Sequence, residues 1–133
     1  MIKKLHHVGI VVRNLDDTMA LYSKMLGLEP ASRHEIGEAK LKIANYRIGE
    51  ESQVEFLEAA PGSPLAQFLE SNGEGLHHIA FEVDDIDAEL KALAGMGIDL
   101  VDKESKPGPE GKIAFVGPQA THGVLIELVQ CAA

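Results

Sequence analysis

The chain has 133 residues, enough for one sizeable core and too few for two large independent domains. Apolar residues make up 45% and charged residues 25%, as in soluble globular proteins, and no apolar run approaches the roughly 20 residues that span a bilayer. Twelve basic against 21 acidic residues give a net charge of −9, which argues against nucleic acid as a partner but does not exclude a phosphorylated small molecule held by a local basic cluster. Residues 1–10 carry no signal-peptide pattern, and the single Cys131 can form no internal disulfide, so the expected compartment is the cytoplasm, without a membrane partner.

Residues 5–12, "LHHVGIVV", form an apolar, β-branched run and predict a buried strand. A helix follows in "LDDTMALYSKMLG", capped by Asn14 or Asp16 and ended by Gly27, with Leu15, Met19, Tyr22, Met25 and Leu26 as its apolar stripe. Strands are expected at 29–34, 40–47 and 52–59. "PGSPLAQFLESNGEG" is a linker containing a short helix capped by Ser63, with Pro64 in its first turn.

The opening then repeats. "LHHIAFEV" begins at Leu76, 71 positions after Leu5, and Asp87 repeats Asp16 at the same offset. Ile86, Leu90 and Leu93 repeat the helical stripe, and Gly95 and Gly97 repeat the stop. Strands are expected at 99–102 and 112–116, and "GVLIELVQ" closes this half as "SQVEFLEA" closes the first. Each half therefore predicts βαβββ, with module one at 1–60, a linker at 61–75 and module two at 76–133 of a single domain.

One histidine of each "HH" pair opens a module, and Glu55 and Glu127, 72 positions apart, sit inside the closing strands. A pseudo-twofold between modules would bring two imidazoles and two carboxylates to one point, a donor set for a divalent transition metal. Glu55 and Glu127 have apolar neighbours on both sides, and an uncompensated buried carboxylate is costly. Strand periodicity alone does not choose between His6 and His7 or between His77 and His78. Glu58 is expected to face solvent, His122 to be a turn or supporting residue, and Tyr22 and Tyr46 to line the core or a pocket. The member of each pair that is not a ligand is expected to pack outward or bond locally.

Paired βαβββ modules with these histidines and acids resemble the vicinal oxygen chelate (glyoxalase/bleomycin resistance) superfamily. More closely, "GEGLHHIAFEVDDI" and "HGVLIEL", with "HHVGIVVRNLDDTMALYSKMLGLE" and "KIAFVGP", resemble the methylmalonyl-CoA epimerases over nearly the whole chain. The resemblance implies an α+β fold whose paired modules form a half-open mixed β-sheet barrel. It implies metal ligation by His7, Glu55, His78 and Glu127, and C2 epimerisation of methylmalonyl-CoA through a metal-stabilised enolate. Co2+ is the first expectation, with Ni2+, Mn2+ or Zn2+ as alternatives, and a homodimer is expected. Of two proposed bases in the family, one position aligns with Glu127; the other aligns with Lys42, which also reads as a surface lysine or a CoA-phosphate contact. Lys103, Lys106, Lys112 and Arg47 are further phosphate candidates, and "KPGPEGK" is a candidate loop over the substrate. "FVGPQ" departs from the family's "FLHPK". The alternatives are a glyoxalase I-like isomerase on a thiol adduct and a non-catalytic drug-binding resistance protein of the same fold.

Overall fold

The computed structural model describes residues 1–37 and 41–132. In chain order it contains β1 (Ile2–Val11), α1 (Leu15–Leu26), β2 (Pro30–Ile36), β3 (Leu41–Ile48), β4 (Ser52–Ala59), α2 (Pro64–Asn72), β5 (Gly75–Val83), α3 (Ile86–Gly95), β6 (Lys106–Gly108), β7 (Gly111–Val116) and β8 (Ile126–Cys131). This is the α+β class with two strand–helix–strand modules. The expected strand at 40–47 corresponds to β3, and its first position, Lys40, lies outside the described residues. Two compact units are distinguished, Val8–His77 and Met1–His7 with His78–Ala133. Their boundaries divide β1 after His7 and assign the linker and α2 to the first-module unit.

In the Val8–His77 unit, β2 pairs antiparallel with β3 and β3 with β4. Alternation along β3 and β4 sorts their side chains. Ala44, Tyr46, Val54 and Phe56 pack with Val12, Leu15, Met19 and Tyr22 under α1. Ile43, Asn45, Glu55 and Leu57 occupy the other face and are buried too. The helix starts because Asn14 accepts a hydrogen bond from the Asp17 amide (2.9 Å), and it stops at Gly27, whose φ of 67° is left-handed. The expected apolar stripe ends at Tyr22, since Met25 and Leu26 are 57% and 55% exposed.

In the other unit, β5 and β8 are parallel, and β8–β7 and β7–β6 are antiparallel. Val83, Ala114, Val116 and Leu128 pack with Ile86 and Leu90 of α3, and Leu93 joins them as the sequence stripe predicts. Asp85 caps α3, accepting from the Ala88 amide at 3.2 Å.

The expected strand at 99–102 is replaced by a single bridge, Leu100 to Val116. Asp102 explains the change. Its carboxylate accepts from the Phe115 amide at 2.8 Å and its own amide donates to the Phe115 carbonyl at 3.2 Å, so a side chain takes over a ladder position. "KPGPEGK" is not a loop but a hairpin, with Gly108 paired to Gly111 and Pro107 to Lys112. Pro107 is tolerated there because β6 is an edge strand. Gly111 is required, because a Cβ there would run into the Gln130 carbonyl of β8.

Candidate metal centre

The face of β5 and β8 turned away from α3 carries His78 and Glu127. Phe81 pairs with Leu128 on the helix side, so the intervening Ala80–Glu127 pair points to the other side, together with His78. His7 joins them from the leading part of β1. The Nε2 atoms of His7 and His78 are 3.0 Å apart, and Glu127 Oε1 lies 3.4 Å from the first and 3.1 Å from the second. The two rings meet edge to face, with an interplanar angle of 87°. All three side chains are buried.

These spacings suit a metal. At bond lengths near 2.1 Å, ligand atoms at a right angle are about 3.0 Å apart and those at a tetrahedral angle about 3.4 Å. Two imidazole nitrogens and a carboxylate oxygen are borderline-to-hard donors, the set that binds first-row divalent ions. Burial alone would raise the Glu127 carboxyl, but hydrogen bonds and charge from His7 and His78 outweigh it and hold it at about 2. The carboxylate is thus ionised and ready to ligate over the whole physiological range.

The structure distinguishes the members of each histidine pair. His7 and His78 turn their Nε2 atoms to the cluster, whereas His6 bonds His7 through its Nδ1 (2.7 Å) and His77 packs edge-on against Phe68. His6 also borders a second group. It presents a ring nitrogen within 4.8 Å of a Glu82 oxygen and the Cys131 sulfur. Cys131 donates to Glu82 (3.1 Å), and burial followed by that bond pushes its thiol up to about 11.

Glu55 belongs to the Val8–His77 unit. It is buried, beside Asn45, on the β4 face opposite α1. Two buried polar atoms of this face, Asn45 Oδ1 and His34 Nε2, have no hydrogen-bond partner among the described residues. Lys42 does not share the face. It follows Ala44 and Tyr46 on the α1 side and pairs with Glu58 at 3.5 Å.

Glu58 does not simply face solvent. It accepts the Leu15 amide of α1 at 2.7 Å. Gln130 does the same for the Ile86 amide of α3 at 2.9 Å. The signal was in the sequence: Glu58 and Gln130 are 72 positions apart, the offset of Glu55 and Glu127. Each closing strand thus carries an inward carboxylate and, three residues on, a helix anchor.

Of the phosphate candidates, Lys106 pairs with Asp102 and Lys112 with Asp87, both at 3.4 Å, and Arg47 donates to the Glu50 carbonyl at 3.3 Å. Lys103 is exposed. His122 is a turn residue with φ 58°, and Tyr22 and Tyr46 belong to the α1 core, as expected.

Comparison with known proteins places the chain in a family. The family model of the glyoxalase/bleomycin resistance protein/dioxygenase superfamily matches residues 6–115, and the chain belongs to that superfamily. Within it the chain is similar to the methylmalonyl-CoA epimerases over nearly its whole length. It is 36% identical to the mitochondrial methylmalonyl-CoA epimerase of Dictyostelium discoideum, over 96% of this chain and 78% of that one. It is 34% identical to the ethylmalonyl-CoA/methylmalonyl-CoA epimerase of Cereibacter sphaeroides, over 98% and 99%. A variant of Streptomyces coelicolor methylmalonyl-CoA epimerase in complex with 2-nitronate-propionyl-CoA superposes with a TM-score of 0.92 at 33% identity, covering all of both chains.

Proposed function

We propose that this chain is a metal-dependent epimerase that inverts C2 of methylmalonyl-CoA. The observation that carries the proposal is the convergence of His7 Nε2, His78 Nε2 and Glu127 Oε1 within 3.0–3.4 Å of one another. The full-length similarity to methylmalonyl-CoA epimerases supplies the substrate class. The two modules act as one domain, and Glu55 completes the ligand set as the first-module counterpart of Glu127. Its burial on the face away from α1 supports that role, because Glu127 occupies the same place relative to α3.

A divalent ion in this set, Co2+ first among the candidates, supplies Lewis acidity toward the negative charge that develops on the acyl oxygens as the C2 proton leaves. The chain's own residues do the rest. His7 and His78 orient the ligand set. Glu127, ionised at rest, is the base that takes the C2 proton on one side. The unpartnered atoms of Asn45 and His34 supply polar contacts for a ligand on the Glu55 face. Lys42 is the candidate for the second side of C2, but its pairing with Glu58 on the α1 side favours a structural role, and a water then returns the proton on that side. A homodimer in the cytoplasm is part of the proposal. No helix among the described residues is long and apolar enough to cross a membrane.

Deuterium exchange tests the proposal. The protein is incubated with methylmalonyl-CoA in D2O, with and without a chelator, and the C2 proton is followed by NMR. Metal-dependent loss of that proton together with loss of stereochemical purity is expected. Absence of exchange in the metal-loaded protein overturns the substrate assignment and directs the search to thiol adducts of the glyoxalase type.

A further inference from the structure

We propose that His6 positions His7 for metal ligation, by accepting a hydrogen bond from His7 Nδ1–H and so keeping the His7 lone pair on Nε2. The inference rests on the reading of His7, His78 and Glu127 as a metal centre. His6 Nδ1 and His7 Nδ1 are 2.7 Å apart, and both rings are buried. Nitrogens that close repel unless one carries a proton toward the other or a cation lies between them, and the cation belongs on the Nε2 side. The other nitrogen of His7 faces His78 Nε2 at 3.0 Å and Glu127 Oε1 at 3.4 Å, where a ligand needs its lone pair. A neutral imidazole with a free Nε2 carries its proton on Nδ1. His6 Nδ1 must then be the acceptor, which leaves the His6 proton on Nε2. A ring nitrogen of His6 lies within 4.8 Å of an oxygen of Glu82, a carboxylate kept in place by Lys3 (3.3 Å) and the Cys131 thiol (3.1 Å). A ligating histidine ordinarily has its second nitrogen held by a carboxylate or carbonyl. Here another histidine takes that place, with Glu82 beyond it. The same group of His6, Glu82 and Cys131 is a poor second metal site, because Lys3 and Lys4 both approach Glu82.

The test uses the full chain and Zn2+ as the probe. His6→Leu removes the acceptor. His6→Asn puts a carbonyl oxygen close to where Nδ1 was. Zn2+ affinity is measured by calorimetry, and histidine ring 15N NMR of the Zn2+-loaded wild type assigns the protons. The expected result is a loss of about 10–100-fold in affinity for His6→Leu, with most of it recovered in His6→Asn. The spectrum is expected to show a proton on His7 Nδ1 and none on His6 Nδ1. Wild-type affinity in His6→Leu, equal weakness in both variants, or a proton on His6 Nδ1 overturns the inference. A chain that binds Zn2+ with this pattern but fails the C2 exchange assay overturns the epimerase reading alone. A wild type that does not bind Zn2+ overturns the metal centre and this inference with it.

Discussion

At the scale of single residues, Glu127 concentrates the consequences. It is the carboxylate that both histidines approach, so Glu127→Ala is expected to lose bound metal, read by elemental analysis, and turnover together. Full metal occupancy with full activity in that variant would refute the assignment. The pH dependence follows from its depressed pKa. The Glu127 carboxyl is held at about 2, below its ordinary 4.5, so the folded state holds its proton less readily than the unfolded chain. Its contribution to stability is therefore complete above about pH 5 and fades as pH falls toward 2. In metal-free protein, the difference in urea midpoint between wild type and Glu127→Gln should shrink across that window. For Lys42, paired with Glu58, Lys42→Met separates two roles. Proton transfer predicts a fall in kcat of about 100-fold or more, and a structural pair predicts near-normal kcat with a lower urea midpoint.

At the scale of elements, the two modules anchor their helices in the same way. Glu58 holds the Leu15 amide and Gln130 holds the Ile86 amide, each from the closing strand of its module. Glu58→Ala and Gln130→Ala are each expected to cost about 1–2 kcal/mol in chemical denaturation, without changing metal content. The repeat was legible as an offset, but its meaning was not. A glutamate three residues beyond a buried one lies on the opposite strand face, and periodicity does not say that a helix N-terminus waits there. The misread segment between α3 and β7 has a similar cause. Residues 99–102 have strand composition, yet the Asp102 carboxylate bonds the Phe115 amide, and pairing moved to a Gly–Pro hairpin that composition describes as a loop.

At the scale of the whole molecule, the proposed metal binding would be linked to stability. An ion that binds the folded chain and not the unfolded one stabilises it by about 2.7 kcal/mol at a hundredfold excess over Kd. For a chain of 133 residues this corresponds to a rise of roughly 5–15 °C in Tm. Thermal denaturation with added Co2+, and again after a chelator, should show that rise and its reversal. No change on adding or removing metal would contradict a ligand set assembled by folding.

The sequence by itself determined the duplication, the strand–helix order of each module, the cap of α2, two candidates for the cap of α1, and the short list of candidate metal ligands. These are local quantities: apolar period, capping chemistry, and like residues at a constant offset. Periodicity left the histidine of each pair open, and only the tertiary structure set His6 Nδ1 against His7 Nδ1, turned the Nε2 atoms of His7 and His78 to one another, and put Lys42 and Glu55 on opposite faces of one sheet. Each of these depends on register and on which face a helix covers. Those are set by contacts between residues far apart in the chain, and a period of two fixes alternation without fixing its phase.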